Sequence, residues 1–154
     1  MITSLIYNET GVYPVNVLVK MRMIRFWSSL ISSKTGKYSS KLYDILFDLY
    51  KNGIYSSKWV QAIQDILIET GFDCVWESQS FISRDMLCKN VNQVLKDNFQ
   101  RGWRESLEQS NKCLFYRNFK QTFCKEKYIS QLPDAYVISF LKFRCCNHKL
   151  RKLN

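Results

Sequence analysis

Turn-forming residues are scarce in this sequence, which has five Gly and two Pro among its 154 residues. Sandwiches and barrels of many short strands need such residues at their turns, so the scarcity favours helices. No apolar run approaches the roughly 20 residues that span a bilayer. The first residues, MITSLIYNETG, lack the basic segment and apolar stretch of a secretory signal. We therefore expect an intracellular protein, cytoplasmic or nuclear, without a membrane partner.

The residue spacings of a metal centre are also missing. The six Cys form no CxxC pair, and without a secretory signal we expect them to be reduced thiols. Cys145, Cys146 and His148 form the string CCNH, which does not match the Cys and His spacings of zinc sites. A Cys–His pair for nucleophilic catalysis would also need a third, orienting group. We expect buried cysteines here, a histidine that binds backbone or phosphate, and no metal or cofactor.

Catalytic carboxylate patterns are equally sparse. Asp44 and Asp48 lie at i, i+4 on one helical face, where two acids could share a metal with a third ligand. Lys41 and Lys51 lie nearby, so a solvated acidic face is the favoured interpretation. There is no paired-aspartate motif of the polymerase type, no glycine-rich phosphate loop and no GxSxG elbow. The sequence therefore predicts no enzyme activity for these residues.

Apolar residues are present in the amount that a folded core requires, at 46% of the chain, with 15% aromatic. The segment from Val15 to Ile31 is apolar on most sides and follows Pro14, so it predicts a helix central to the core. Two further units share a serine start, an apolar stripe of helical period and a glycine stop, at Gly53 and Gly71 respectively. Together they predict an antiparallel helical hairpin.

The helical pattern continues in the C-terminal half. Three helices are predicted there, over about 84–109, 113–124 and 134–145, the first of them capped by Ser83 and kinked at Gly102. Two other segments are predicted to be loop or extended, over 7–12 and 72–82. We predict an all-α fold of about five to six helices in an irregular bundle. It forms a single module with a hairpin half (1–82) and a basic half (83–154).

Positive charge is concentrated in the basic half. The chain has 23 Lys and Arg against 13 Asp and Glu, a net charge of +10 and a pI near 9.4. Residues 84–154 alone hold fifteen basic and six acidic residues, a net charge of +9. Contact with a nucleic-acid backbone requires such a density of donors to phosphate. We expect the contacting face to include Lys112, Arg117, Lys120, Lys142, Arg144 and Lys149.

Aromatic residues alternate with these charges on the helix predicted over 113–124. Phe115, Phe119 and Phe123 fall on one side of it, and Arg117 and Lys120 on the other. Helical spacing of this kind predicts that the aromatics anchor the helix in the core while the charges stay outside. The alternatives are aromatics that stack on bases, as in single-strand binders, and charges that form only a solvated face.

A set of short motifs runs along the chain from about residue 11 to 150. The N-terminal part contains GVYP (11–14), RM (22–23), FW (26–27), SKW (57–59), GF (71–72) and VW (75–76). The C-terminal part contains LFYRNFK (114–120), EKYI (126–129), LP (132–133), FR (143–144) and NHKL (147–150). In content and order the set resembles the region downstream of the polymerase domain in reverse transcriptases of non-LTR, LINE-like retrotransposons.

The resemblance implies a fragment of a larger mobile-element protein. The RNA-directed DNA polymerase activity of that family would reside in a palm domain before residue 1, and Val137 stands where the family often has an arginine. The chain is thus expected to be a non-catalytic helical module that binds RNA or DNA, with the parent's polymerase domain as a further partner. The alternative is a structural or protein-interaction module without nucleic-acid binding, or a decayed mobile-element fragment.

Overall fold

The structure is a computed structural model that describes residues 2–32, 38–109 and 114–144, and the regular structure in these ranges is α-helical without strands. The helices are α1 (Ile2–Thr10), α2 (Val15–Ser32), α3 (Tyr38–Lys51), α4 (Lys58–Glu69), α5 (Asp73–Ser78), α6 (Arg84–Glu108), α7 (Leu114–Phe119), α8 (Tyr128–Gln131) and α9 (Asp134–Arg144). The predicted all-α class is confirmed.

Glycines end two of the predicted helices. Gly53 follows α3 with φ +68°, and Gly71 follows α4 with φ +78°. A side chain disfavours this left-handed conformation, which glycine adopts freely. The turn after α3 is closed by the backbone N–H of Ile54, which donates to the carbonyl of Leu49 at 3.0 Å. The glycine stops predicted from the sequence are confirmed at both positions.

Two segments predicted to be loop or extended contain helices instead. Residues 7–12 lie largely within α1, and residues 72–82 contain α5. Further along the chain, α7 ends at Phe119, earlier than the predicted residue 124, and α8 was not predicted. The long α6 continues through Gly102 as one helix. Short helices of this kind are set by tertiary contacts rather than by local pattern, because few-turn helices are marginal in isolation.

The chain divides into two compact units. The contiguous unit comprises Val15–Asp97, and the discontinuous unit comprises Met1–Pro14 together with Asn98–Asn154. The sequence predicts two halves that meet between residues 82 and 83. The structure instead divides the chain after Asp97, within α6, and groups the first fourteen residues with the C-terminal part.

The core of the contiguous unit forms around α2, whose Ile24 and Trp27 have no exposed surface. Other side chains buried in this unit include Val60, Ile63, Leu67, Trp76 and Val91. The rings of Trp27 and Trp76 lie 6.3 Å apart between centroids. α2 also has an exposed apolar side, formed by Val15, Val19 and Phe26. The helix is therefore central to its unit without being buried all round.

A chain of hydrogen bonds crosses this core. Trp27 Nε1 donates to the Tyr43 hydroxyl at 2.8 Å, which donates to Gln79 Oε1 at 2.7 Å. Gln79 Nε2 then donates to the carbonyl of Trp76 at 2.6 Å. Burial of the phenol outweighs these hydrogen bonds and raises the pKa of Tyr43 to about 12. The chain joins α2, α3 and the end of α5.

The discontinuous unit is built where α1 meets the C-terminal helices. Leu5 of α1 belongs to a buried cluster with Trp103, Leu107 and Tyr116. Asn8, which has no exposed surface, donates from Nδ2 to the Tyr116 hydroxyl at 3.0 Å. Because buried polar side chains require such partners, residues far along the chain stabilise α1 as a helix.

The chain approaches itself closely just after α1. Gly11 has φ +66°, and a Cβ at this position would lie 2.6 Å from the backbone nitrogen of Lys125. Only glycine satisfies both the left-handed conformation and this contact. Next to it, the backbone N–H of Glu126 donates to the carbonyl of Glu9 at 2.9 Å. Gly11 thus allows the segment around residue 125 to lie directly against the end of α1.

Candidate nucleic-acid interface

Three of the six predicted phosphate-contacting side chains are not described by the structure. Lys112 and Lys149 lie outside the described residues. Arg117 lies on α7, but its side chain is also outside the described part. The remaining three, Lys120, Lys142 and Arg144, have described side chains and differ sharply in their surroundings.

Lys120 is buried, with 3% of its surface exposed. Its Nζ donates to the carbonyl of Cys124 at 2.7 Å and forms an ion pair with the carboxylate of Glu126. A buried ammonium needs a carboxylate partner and hydrogen bonds to offset the loss of water. Glu126 and the carbonyl of Cys124 supply them. The prediction that Lys120 stays outside, beside Arg117, is wrong.

Arg144 points to a buried carboxylate. Glu9 has no exposed surface, and its Oε1 lies 3.2 Å from Arg144 Nη2. The Tyr128 hydroxyl donates to the other oxygen, Oε2, at 2.5 Å, and the Arg144 guanidinium lies 5.6 Å from the centroid of the Tyr128 ring. We call these three residues the Glu9 tie. The expected phosphate contact of Arg144 is corrected accordingly, because its guanidinium is engaged inside the unit.

Lys142 is exposed on α9, as predicted.

The aromatic side of the predicted 113–124 helix is less uniform than expected. Phe119 is 72% exposed, so its assignment to the core is wrong. α7 ends at this residue and buries Tyr116 instead. Phe123 lies beyond the helix and packs on Tyr13 and Phe99, at 4.8 and 5.6 Å between ring centroids.

A second group of basic side chains converges in the contiguous unit. A cleft of about 370 Å³ is lined by Arg25 of α2 and by Arg84, Asp85, Cys88, Lys89 and Asn92 of α6. We call it the basic cleft. The five α6 residues share a face because they are spaced at i, i+1, i+4, i+5 and i+8. Three cations and one carboxylate line this surface, so its field is positive.

The charged side chains of the basic cleft are exposed, and the residues beneath them are buried. Arg25, Arg84 and Lys89 are exposed, and none forms an ion pair within the described ranges. Arg84 donates to the carbonyl of Arg25 at 3.4 Å, which links α6 to α2. At the floor, Cys88 Sγ lies 3.3 Å from the hydroxyl of the buried Ser28.

Asn92 adds an unusual polar group to the same cleft. Its Oδ1 is buried and has no hydrogen-bond partner among the described residues. Such an unpartnered amide oxygen is uncommon, because buried amides normally satisfy both ends.

The sequence contained only part of the signal for this cleft. Arg84 and Lys89 lie off the apolar stripe of the long helix, and Arg25 lies on the polar edge of α2. These side chains converge because α2 packs against α6. Arg84 and Arg25, which are in contact there, lie 59 positions apart in the sequence. The helical spacing on α6 identifies one wall, and nothing local identifies the other.

The described residues hold no group of three or more His, Cys, Asp or Glu side chains arranged to bind a metal ion. Cys145, Cys146 and His148 lie outside these residues. Within the described ranges, none of the helices combines the length and apolarity needed to cross a bilayer. The sequence matches no protein-family model, and no curated protein or solved structure is significantly similar to it.

Proposed function

We propose that the chain is a non-catalytic helical module that binds the phosphate backbone of RNA or DNA. The basic cleft is the observation that carries this proposal. Guanidinium and ammonium groups that face solvent without an internal carboxylate are available to phosphate oxygens, with which arginine forms paired hydrogen bonds. Binding of this kind is independent of sequence and weakens with salt.

The contact set in this proposal differs from the one expected from sequence. In the contiguous unit it consists of Arg25, Arg84 and Lys89. In the discontinuous unit, taken by itself, Lys142 is an exposed cation. Lys120 and Arg144 are left out because each would have to abandon its ion pair, Lys120 with Glu126 and Arg144 with the buried Glu9. Arg117, Lys112 and Lys149 stay in the set on the strength of the sequence.

The ordered motifs also support a place for the module in a larger protein. Their similarity to the region that follows the polymerase domain of LINE-like reverse transcriptases favours a role beside a polymerase, in the cytoplasm or nucleus. Cys74, Cys88 and Cys124 are free thiols, which fits such a reducing compartment. In this proposal the chain positions nucleic acid and performs no phosphoryl transfer itself.

Salt-dependent binding tests the proposal directly. Fluorescence anisotropy of labelled single-stranded RNA, single-stranded DNA and duplex DNA gives the slope of log K against log salt for the wild type and for Arg25→Ala/Lys89→Ala. Loss of two phosphate contacts should reduce the slope by about 1.4 units for single strands and about 1.8 for duplex DNA. Arg84 is left unchanged because it also bonds the backbone of α2.

Lys51→Ala/Lys58→Ala serves as the matched control. Both lysines are exposed, at the end of α3 and the start of α4, and lie outside the basic cleft. The control removes the same charge and should keep the wild-type slope within about 0.3 units. Wild-type protein without salt-dependent binding, or a cleft variant that matches the control, would refute the proposal.

A second function, protein interaction, is favoured by a separate observation. Helix α3 exposes large apolar side chains, among them Leu42 and Ile45, which monomeric proteins normally cover. Interaction through this surface requires no nucleic acid. The salt-slope experiment separates the two functions, because an apolar surface binds with little dependence on salt.

A further inference from the structure

Helix α3 has two apolar faces, of which the structure covers only one. Its inner face carries the buried Tyr43. Its outer face carries Tyr38, Leu42 and Ile45, which are 92%, 59% and 56% exposed, and the half-buried Leu49. A surface helix ordinarily has one apolar face and a polar one. The second face therefore calls for a partner.

The spacing of the outer face identifies the kind of partner. Tyr38, Leu42, Ile45 and Leu49 follow one another by four, three and four residues, which is the a/d repeat of a two-helix seam. We call these four residues the α3 seam. The 14-residue helix spans two heptads, so the seam is short. The partner that fits it is another helix with apolar side chains at the same spacing.

Charges beside the seam identify the partner further. Lys41 and Asp48 lie seven residues apart, so both occupy the position just before a seam residue, on the same flank. Both are exposed, and neither forms an ion pair with another described residue. Seven residues are too far apart for the two to reach each other along one helix.

An antiparallel copy of α3 satisfies the seam and the flank together. Around one twofold axis, Leu42 packs against Ile45 of the second copy, and Tyr38 packs against Leu49 of the second copy. In an antiparallel pair the same flank of both helices meets, which places Lys41 opposite Asp48 of the second copy, twice. A parallel pair would place Lys41 opposite Leu46 and leave both charges unmatched.

We propose that this protein forms a homodimer in which two α3 helices pack antiparallel through the α3 seam. The self-complementary flank is what selects a second copy over an unrelated helix, since a twofold interface requires that each charge find its opposite on the same surface. The dimer requires neither the basic cleft nor a nucleic acid. Failure of the dimer proposal would therefore leave the proposed nucleic-acid binding untouched, and the reverse also holds.

Charge reversal tests the arrangement in full. Lys41→Asp places Asp opposite Asp twice, and Asp48→Lys places Lys opposite Lys twice. Each variant alone should dimerise roughly tenfold more weakly than the wild type. An equimolar mixture should recover wild-type affinity as a heterodimer, because every flank contact is then again between opposite charges. Sedimentation equilibrium at low salt measures all three samples.

Two further variants serve as controls. Leu42→Glu puts a charge in the α3 seam and should give a monomer with unchanged helix content by circular dichroism. Lys58→Asp makes the same charge change as Lys41→Asp at an exposed site on α4 and should dimerise like the wild type. A misfolded charge variant would not be rescued by mixing, so rescue also shows that both variants fold.

The proposal is overturned by any of three results. The first is a wild-type protein that sediments as a monomer at the highest concentration reached. The second is a dimer that survives Leu42→Glu. The third is a pair of charge variants that each dimerise weakly but show no recovery when mixed, since recovery is required by the antiparallel flank.

Discussion

Removing Arg144 should destabilise the discontinuous unit far more than removing its neighbour Lys142. In Arg144→Ala, the buried Glu9 keeps the Tyr128 hydroxyl but loses the guanidinium that lies 3.2 Å from Oε1. At an effective dielectric constant of about 20, two charges at that separation attract by about 5 kcal/mol. Arg144 is 19% exposed, so water screens part of this, and loss of one partner of a buried pair typically costs about 3–5 kcal/mol. We expect about 3 kcal/mol.

Urea unfolding followed by circular dichroism measures this cost. With a slope of about 2 kcal/mol per molar urea, the midpoint of Arg144→Ala should fall by about 1.5 M. Lys142→Ala, exposed on the same helix, should change the free energy of unfolding by less than about 0.5 kcal/mol. Glu9→Gln/Arg144→Met should recover part of the loss, because neither charge is then left buried alone.

Two results would refute this reasoning. One is an Arg144→Ala midpoint equal to that of Lys142→Ala, which would mean that Glu9 does not depend on the guanidinium. The other comes from nucleic-acid binding: folded Arg144→Ala should keep the wild-type salt slope, and a fall of about 0.7–0.9 units would instead assign Arg144 to a phosphate.

The other predictions concern buried or close-packed positions. Tyr43 has a folded pKa of about 12 against an ordinary value of 10.0, so its contribution to stability is complete below pH 10 and lost as pH rises towards 12. Tyr43→Phe should remove about 2–3 kcal/mol of this alkaline decline, measured by urea unfolding between about pH 9 and 12, and equal declines would contradict it. Gly11→Ala should cost at least about 2 kcal/mol more than Gly53→Ala: both have positive φ, but only at Gly11 would the Cβ meet backbone, and equal melting temperatures would contradict the close approach. Lys120→Met should cost about 2 kcal/mol by leaving the carboxylate of Glu126 without its cation, while leaving the salt slope of nucleic-acid binding unchanged; a reduced slope would return Lys120 to the contact face.

The helices that the sequence predicted correctly are those whose signals are local. α3, α4 and α6 each have a continuous apolar stripe, and glycines stop the first two. α1 was missed because its stabilising contacts are distant: Asn8 bonds Tyr116, 108 residues away, and Glu9 bonds Tyr128, 119 residues away. A segment whose polar side chains bond to buried, distant partners is predicted as a loop, because its local sequence does not reveal those partners.

The candidate site, like the fold, was predictable from the sequence only where its signals are local. Composition located the positive charge in the C-terminal half, but the predicted contact residues did not include Arg25, Arg84 or Lys89, which line the basic cleft. Whether a given cation faces solvent depends on its carboxylate partner, and the local sequence does not show that Glu9 pairs with Arg144 or that Glu126 pairs with Lys120. Lys120 and Arg144 were therefore assigned to the surface, and Arg25 was not connected to Arg84.

The Glu9 tie also has a consequence for the order in which the chain assembles. The contiguous unit holds all of its residues in one stretch and has its full sequence once residue 97 has been synthesised. α1 is synthesised before this unit, yet the hydroxyl that bonds Glu9 follows Glu9 by 119 residues. At about 5–20 residues per second, α1 waits roughly 6–24 seconds on the ribosome for that partner. A nine-residue helix is marginal alone, so α1, although synthesised before the contiguous unit, becomes stably folded only after the C-terminal helices have been made.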